Sequence, residues 1–268
     1  MSDVVSVTER ETVDRLVHRT VYTPVRGVSA VTVTVARLGE AIGLGLLRPG
    51  DRLPPEAQLA ADLGISAVSL RSALVVLRSA GLVETQRGRL GGTFITSRAA
   101  DAAFEVHGTA AALDAESLLD LATERAAVEG GAAALAARNA WPEQHELLNS
   151  IATGMQGLQP FDLWSERDTL LHLVIGDASG SPRLTTRIAE LRAETYRISK
   201  QLPTPREVLA IADRDHLAIV QAITARQPER AREAMERHVI GTARLQAGLG
   251  RLSITKDDGE TTSAAKPL

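Results

Sequence analysis

The sequence predicts a mainly α-helical protein of two domains: a small N-terminal domain of helices closed by a β-hairpin, and an all-α helical bundle after it. Three observations predict this. Apolar residues recur at helical spacing through most of the chain up to residue 250. Two short apolar stretches, LVET and GTFIT, flank the glycine-rich loop QRGRLGG, which is typical of a β-hairpin. An alanine-rich stretch with little pattern, residues 99–113, separates the hairpin from the helices that follow.

These patterns divide the chain of 268 residues into five segments: an N-terminal arm (1–26), the hairpin-containing domain (27–98), a linker (99–113), the bundle (114–250) and a tail (251–268). The arm has weak periodicity, so it is either a mobile arm or a short added helix. The tail is polar and ends in TTSAAKPL, so it is predicted to be disordered.

The N-terminal domain begins with two predicted helices. The first ends near Gly43–Gly45 and has an apolar face made of Val35, Leu38, Ile42 and Leu46. The prolines and glycine of LLRPGDRLP mark a turn. The second helix starts near Pro55, because proline is well placed in a first helical turn. It ends at Gly64, because glycine accepts the left-handed backbone that a tight turn needs.

A third helix follows, with Ser66 as its N-cap and Gly81 after its end. Its core face consists of Leu70, Leu74 and Leu77. Helix, glycine-centred turn, helix and glycine-rich hairpin together are the plan of a winged helix-turn-helix. In that plan the second helix of the pair lies in the major groove of DNA, with its N-terminal residues at the base edges.

The polar residues at the two ends of this plan are the predicted DNA contacts. Serine hydroxyls near the start of the third helix can bond phosphate or base, and arginine can bond guanine through two hydrogen bonds. The hairpin tip offers two further guanidinium groups for the minor groove or for phosphates. Any one arginine alone is also compatible with a solvated surface charge. The predicted DNA-binding residues are Ser66, Ser69, Arg71, Arg87, Gly88 and Arg89.

The charge distribution supports a polyanion-binding module joined to a second, different domain. Residues 27–98 hold eight arginines and five acids, a net charge of +3. Residues 99–250 hold fifteen basic and twenty-one acidic residues, a net charge of −6. A basic domain beside an acidic one is expected when one half binds nucleic acid and the other does something else, although chance variation in surface charge gives the same pattern.

The bundle contains six predicted helices, at 114–138, 142–154, 160–178, 181–200, 205–226 and 228–248. Asp168 and His172 are four residues apart and share one helical face. His216 and His238 lie on later helices in aliphatic surroundings. Facing helices can bring such groups onto one divalent metal, with Zn²⁺ preferred and Ni²⁺ or Mn²⁺ as alternatives. The spacing is equally compatible with ordinary buried or surface histidines.

The segment LRPGDRLPPEAQLAADLGISAVSLRSALVVLRSAGLVETQRGRLGGTFIT resembles the winged helix-turn-helix of the GntR family, and the resemblance covers about fifty residues. The resemblance implies three arginine contacts to DNA. They lie early in the second helix, just after the cap of the third helix, and four residues further on. Only the last is retained, as Arg71, because Ala57 and Ala67 occupy the other two positions. This departure shifts more of the expected affinity onto Arg87 and Arg89.

Residues from about 114 to 245 resemble the FadR-type ligand-binding domain called FCD. The residues that carry this resemblance are Arg125-x-x-x-Glu129, Asp168-x-x-x-His172, Asp215-His216 and Met235-x-x-His238. The resemblance implies that Asp168, His172, His216 and His238 ligate a metal, and that a small organic acid reaches the same pocket. Arg125 is then the candidate clamp for the effector carboxylate. The alternative for Arg125 is a surface ion pair with Glu129.

The sequence thus predicts a DNA-binding transcriptional regulator, a homodimeric repressor of a palindromic double-stranded operator, controlled by a small carboxylate effector. Two alternatives stay open: a metal-dependent enzyme acting on small carboxylates, and a metal site that only supports dimerisation. No cysteine is present, no apolar run reaches membrane-spanning length, and the first residues lack an apolar signal region. We therefore expect a cytoplasmic protein without a membrane partner.

Overall fold

The computed structural model describes residues 7–25, 30–88, 91–97, 99, 115–199 and 206–260. The N-terminal half contains four helices and one hairpin: α1 (Val7–Thr20), α2 (Ala30–Gly43), α3 (Glu56–Asp62), α4 (Ala67–Ser79), β1 (Val83–Gln86) and β2 (Gly92–Ile95). The C-terminal half is helical: α5 (Ala115–Asn139), α6 (Pro142–Gly154), α7 (Phe161–Ala178), α8 (Pro182–Ser199), α9 (Arg206–Thr224) and α10 (Pro228–Glu260). The predicted fold, a winged helix-turn-helix followed by a helical bundle, is confirmed.

The helix-turn-helix is formed by α3 and α4, and local signals define both of its ends. Gly64 has φ of 64°, the left-handed backbone that the turn between the helices requires. The Ser66 hydroxyl caps α4 by accepting a 3.0 Å hydrogen bond from the backbone N–H of Ser69. The inward faces of the two helices are buried leucines, at Leu59, Leu63, Leu70, Leu74 and Leu77.

The hairpin is antiparallel and docks on the turn before α3. Val83 pairs with Ile95, and Gln86 pairs with Gly92. Arg52 forms a bridge to Phe94 and stacks its guanidinium 5.9 Å from the centre of that ring. These contacts tie the base of the wing to the helical core and leave its tip to solvent.

The bundle is built around α5 and α10, which pack along each other. Their close approach follows from small residues on α5, where Ala132, Ala133, Ala136 and Ala137 are buried. A Cβ atom on Gly130 would lie 2.9 Å from Cγ of Glu236, so a larger residue there would require the Glu236 side chain to move. The remaining helices pack around this pair, with α6 against α7 and α9, and α7 against α8.

Residues 1–26 contain a helix, α1, which is one of the two predicted alternatives for this segment. Its apolar side is buried at Leu16 and Val17. It contacts α7 and α8 of the bundle. Just beyond it, the backbone N–H of Val25 donates a 2.7 Å hydrogen bond to the carbonyl of Leu63 at the end of α3. The helix therefore joins the DNA-binding domain to the bundle.

The charged contacts of α1 fall at its two ends. Glu9 pairs with Arg167, just before the middle of α7, and Arg19 pairs with Asp177 near the end of α7. The two paired residues of α1 are ten residues apart, and their two partners on α7 are also ten residues apart in the same order. The two helices therefore run parallel. The contacts lie 158 residues apart in the chain, which explains why local periodicity in the arm is weak.

The end of the chain differs from the prediction. The last helix continues to Glu260, ten residues into the tail 251–268 that was predicted to be disordered. Residues 251–260 contain no proline, the residue that most strongly interrupts a helix. Residues 261–268 and, apart from Ala99, the linker 99–113 lie outside the described residues.

Within the described ranges, no single helix is long and apolar enough to cross a membrane. Only α3 and α4 taken together pass that test of length and hydropathy, and they are bent by 106° at the turn between them.

We expect Leu16→Ala to lower the free energy of unfolding by about 2–5 kcal/mol, because it deletes a fully buried side chain at the junction of the two domains. Asp14→Ala is the matched control on the exposed side of the same helix and should be close to neutral. Chemical denaturation of both variants measures the difference. Equal stability of Leu16→Ala and the wild type would show that α1 does not pack as described.

Candidate functional site

Four potential metal ligands meet inside the bundle. Asp168 and His172 project from α7, His216 from α9 and His238 from α10, and all four side chains are buried. One ligand atom from each lies within 4.8 Å of the others. Oδ1 of Asp168 is 3.1 Å from Nε2 of His216 and 3.4 Å from Nε2 of His172. Nε2 of His216 is 3.1 Å from Nε2 of His238. The structure therefore brings together the four residues that the spacing and the resemblance pick out.

The hydrogen bonding of this cluster is incomplete. Nε2 of His172 is buried without a hydrogen-bond partner, and Oδ1 of Asp168 lies close to two imidazole nitrogens without forming a well-aligned hydrogen bond to either. Buried polar atoms of this kind are costly unless something binds them. Three imidazole nitrogens and one carboxylate oxygen are a donor set that suits Zn²⁺ and neighbouring divalent metals. The residues present thus fit a divalent cation, and the orphaned atoms are the observation that supports the fit.

The electrostatics of the cluster favour the protonation states that bind metal. Burial lowers the pKa of His216. Burial, reinforced by the neighbouring His216, lowers the pKa of His238 to about 3. Both rings are therefore neutral near pH 7, as a ligand imidazole must be. Burial alone raises the pKa of Asp168, but Arg192 and the surrounding imidazoles outweigh it and hold that pKa well below its usual range.

Two carboxylates lie behind the imidazoles of the cluster, and one of them orients its histidine. Glu129 of α5 pairs with Nδ1 of His172, which leaves Nε2 of that ring facing the centre of the cluster. Glu129 also accepts a 2.7 Å hydrogen bond from Nε of Arg125. Oδ2 of Asp215 lies 3.6 Å from Nδ1 of His238. A carboxylate paired with Nδ1, as Glu129 is, sets the tautomer and direction of a ligand histidine, whereas the Asp215 contact is longer than a hydrogen bond.

Arg125 forms the predicted pair with Glu129, but the pair is buried and not on the surface. The arginine side chain is 5% exposed and that of Glu129 is 1% exposed. The surface alternative for Arg125 is therefore wrong, because α5 lies in the centre of the bundle and turns this face inward. Nη2 of Arg125 has no hydrogen-bond partner and is available to a ligand.

Arg192 is a residue that sequence reasoning missed. It is buried on α8 and pairs with Oδ2 of Asp168, and its Nε atom has no hydrogen-bond partner. With Arg125 it lines a cavity of about 30 Å³ beside the cluster. The available signal was its position on the inward stripe of α8, between Ile188 and Tyr196. A charged residue on such a stripe requires a buried partner.

The predicted DNA contacts lie on the exposed N-terminal side of α4 and on the wing. The hydroxyls of Ser66 and Ser69 are 2.9 Å apart. Arg71 is exposed, and its Nε atom lies 3.1 Å from Oε2 of Glu56 on α3. Arg87 is exposed at the hairpin tip, next to Gly88 with φ of 114°. Arg89 lies outside the described residues.

Comparison with known proteins gives the family. Residues 31–95 match the family model "Bacterial regulatory proteins, gntR family", and residues 120–241 match the model of the FCD domain. The chain is 30% identical over 224 residues to the HTH-type transcriptional regulator RmpR of Mycobacterium gastri, covering 82% of this chain and 81% of the relative. The chain belongs to the GntR family.

Two further relatives of this GntR regulator come from Escherichia coli. An L-lactate dehydrogenase operon regulatory protein is 31% identical over 201 residues, covering 72% of this chain and 77% of its own. The Glc operon transcriptional activator is 28% identical over 206 residues, covering 73% of this chain and 80% of the relative. The members of this family are DNA-binding transcriptional regulators and not enzymes, so the predicted family and the predicted lack of catalysis are confirmed.

A solved structure supports the fold independently. The GntR regulator aligns with McbR/YncC of Escherichia coli at a TM-score of 0.51 and 20% identity, covering 83% of this chain and 99% of that one. At this level of identity the likeness shows the shared fold alone. It agrees with a winged helix-turn-helix joined to a helical FCD domain.

Proposed function

We propose that this GntR regulator is a homodimeric repressor whose binding to a palindromic operator is controlled by a small organic acid. The acid is sensed beside a divalent metal held by Asp168, His172, His216 and His238. The observation that carries the proposal is the set of buried donor atoms, two of them without a hydrogen-bond partner, that face one another inside the FCD domain. The experiment that tests it is an operator titration with and without candidate acids, on protein of known metal content.

The donor set favours zinc, with nickel and manganese as alternatives. A divalent cation would be held by one carboxylate and three imidazoles, and it would supply positive charge toward an anionic effector. Other residues of the protein contact the metal ligands. Glu129 orients the imidazole of His172, and Asp215 places a negative charge near that of His238. Arg192 pairs with the Asp168 oxygen that lies away from the histidines.

A small carboxylate is the effector class that the cavity favours. Arg125 and Arg192 both line it, and each has a buried guanidinium nitrogen without a hydrogen-bond partner. A guanidinium group matches a carboxylate in charge and geometry. A cavity of about 30 Å³ has room for roughly one or two water molecules, so an acid enters only if the lining moves. The relative named for an L-lactate dehydrogenase operon is consistent with a small hydroxy acid.

That required movement gives a route from effector to DNA. Asp168 and His172 lie on α7, whose flank holds α1 through Arg167 and Asp177. Beyond α1, Val25 bonds to the end of α3 in the helix-turn-helix. A shift of α7 therefore reaches the DNA-reading domain through packed and charged contacts. Because operator binding requires two domains at a fixed spacing on the duplex, such a shift changes the DNA affinity of a dimer.

The remaining alternative is a metal site that only supports dimerisation. It predicts the same metal content but no effect of any acid on operator affinity. The direction of control is also open to test, since one relative is named as an activator. A reporter driven by the operator should rise when the regulator is deleted if it represses, and fall if it activates.

Protein purified without chelator is expected to contain about one divalent metal per chain, measured by elemental analysis. Chelation should lower the Tm by roughly 5–10 °C, because a ligand at about 100 times its Kd stabilises the folded state by about 2.7 kcal/mol. His172→Ala and His238→Ala should lose the metal and this dependence. His18→Ala, which removes an exposed histidine on α1, is the control and should keep both. Negligible metal after growth in zinc, nickel and manganese would contradict the proposal.

A small carboxylate such as lactate is expected to change operator affinity by about 5–150-fold, the usual range of allosteric coupling. Arg125→Lys keeps the charge beside Glu129 but loses the planar fork, so we expect unchanged operator binding and a response shifted to at least tenfold higher acid. Fluorescence anisotropy of labelled operator measures both quantities. Leu16→Ala, which loosens α1, should bind acid normally but respond less. If no acid alters operator binding by the metal-loaded protein, the site is structural.

Arg71→Ala, and separately Arg87→Ala combined with Arg89→Ala, should each weaken operator binding by about 1–3 kcal/mol with no change in Tm. Arg138→Ala removes an exposed arginine of the FCD domain and is the control. Binding should weaken steeply with salt in the wild type, and the paired wing variant should show a smaller salt slope. Wild-type affinity in both variants would show that the recognition helix and wing are wrongly assigned.

A further inference from the structure

The outward face of α4 carries apolar side chains that the fold of the domain does not use. Val68 is 72% exposed and Val75 is 53% exposed, whereas Leu70, Leu74 and Leu77 fill the inward face. Val68, Arg71 and Val75 are three and four residues apart, so they form one stripe on the helix surface. Valine is a weaker helix former than alanine or a straight-chain residue, so helix propensity does not explain its place at the start of α4.

The polar groups around Val68 are largely engaged within the protein. The Ser66 hydroxyl caps the helix through the Ser69 N–H and also lies 2.9 Å from the Ser69 hydroxyl. Arg71 is paired with Glu56. Positions 57 and 67, where the family resemblance implies arginines, are alanines. Among the described side chains, the start of the recognition helix therefore offers guanine the remaining guanidinium donors of Arg71, and beside them it offers one exposed apolar group, Val68.

We propose that Val68 is a specificity-determining residue that reads the C5-methyl group of a thymine in each operator half-site. The proposal rests on the DNA-binding role assigned to α4 above. N-terminal residues of a recognition helix lie against base edges in the major groove, and there the thymine methyl is the apolar feature that distinguishes T·A from the other pairs. An isopropyl group on the first turn of α4 matches that methyl in size and polarity.

The size of the effect follows from the area that the contact buries. Removing one methyl group from water is worth about 0.8 kcal/mol, which corresponds to about a fourfold change in Kd. Because a palindromic site presents the thymine twice to a dimer, loss of both methyl groups should weaken binding by about fifteenfold. Val68 is exposed, so Val68→Ala shortens the side chain without opening a cavity in the core.

The test uses operator DNA recovered by selecting genomic fragments that the full-length wild type binds. Each thymine is replaced in turn by deoxyuridine, which removes the methyl group and keeps the hydrogen-bonding edge. We expect one symmetric pair of positions at which the wild type binds deoxyuridine DNA about fifteenfold more weakly. Val68→Ala should bind thymine DNA more weakly by a similar factor and should no longer distinguish thymine from deoxyuridine at that pair. This is a double-mutant cycle across the interface.

Two matched variants locate the contact. Ser72→Ala, on the same exposed face, and Arg71→Ala should both keep the discrimination between thymine and deoxyuridine. Cytosine and 5-methylcytosine at the same position separate the methyl group from the rest of the thymine edge. The wild type should bind the methylated pair about fourfold more tightly per half-site, and equal binding of both would overturn recognition through the methyl.

Unchanged discrimination in Val68→Ala, or no position sensitive to deoxyuridine, overturns the inference. These results leave the proposed function standing if the arginine variants at positions 71, 87 and 89 still weaken operator binding. If those variants bind like the wild type, or the wild type selects no DNA, the assignment of α4 as the reading helix is itself wrong, and the Val68 inference fails with it.

Discussion

A carboxylate and three imidazoles cannot be buried in an aliphatic bundle without partners, and the arrangement of the FCD domain follows from that constraint. Asp168 has one oxygen paired with Arg192 on α8 and the other directed at imidazoles from α7 and α9. Glu129 of α5 pairs with both Arg125 and His172. With His238 of α10 beside His216, five helices are thereby linked through a single polar cluster. The protein alone leaves several of its atoms without partners, which is the reason for proposing a bound metal there.

Helix α7 connects the cluster to other parts of the molecule. Residues Asp168–Ala178 are buried throughout, because the helix has contacts on every side. One side of α7 faces the histidines. Another side contacts α1 through two ion pairs, one near each end of α1. Gly45, next to α2, would clash with Glu166 of α7 if it carried a side chain, since a Cβ atom there would lie 2.4 Å from Cγ of Glu166. This packing on two domains makes α7 the proposed route from the cluster to the place where the DNA-binding domain attaches.

Sequence reasoning succeeded where signals are local and failed where partners are distant. The Ser66 cap and the Gly64 turn act within three residues, and Asp168 and His172 lie on one helical face, so all could be placed from spacing. The convergence of His216 and His238 came from the family resemblance, because tertiary packing brings α9 and α10 together. Arg192 was missed since its partner lies 24 residues earlier in the chain. The arm was ambiguous because α1 is polar and is held by contacts to the bundle.

The ion pair between Glu56 and Arg71 affects how the recognition helix discriminates. Both side chains are exposed, at 46% and 69%, so the pair contributes only about 0–1 kcal/mol and guanine can replace it. At a wrong base, however, Arg71 keeps Glu56 as its partner and is not left unpaired. The free-energy difference between right and wrong sequences is thereby reduced, because specificity is a difference between affinities. The apolar contact of Val68 has no comparable alternative partner within the protein. At a base pair without a methyl group, Val68 faces a polar base edge or water. At the start of α4, the arginine is therefore expected to lose part of its discrimination to Glu56, whereas the smaller contribution of the valine is retained in full.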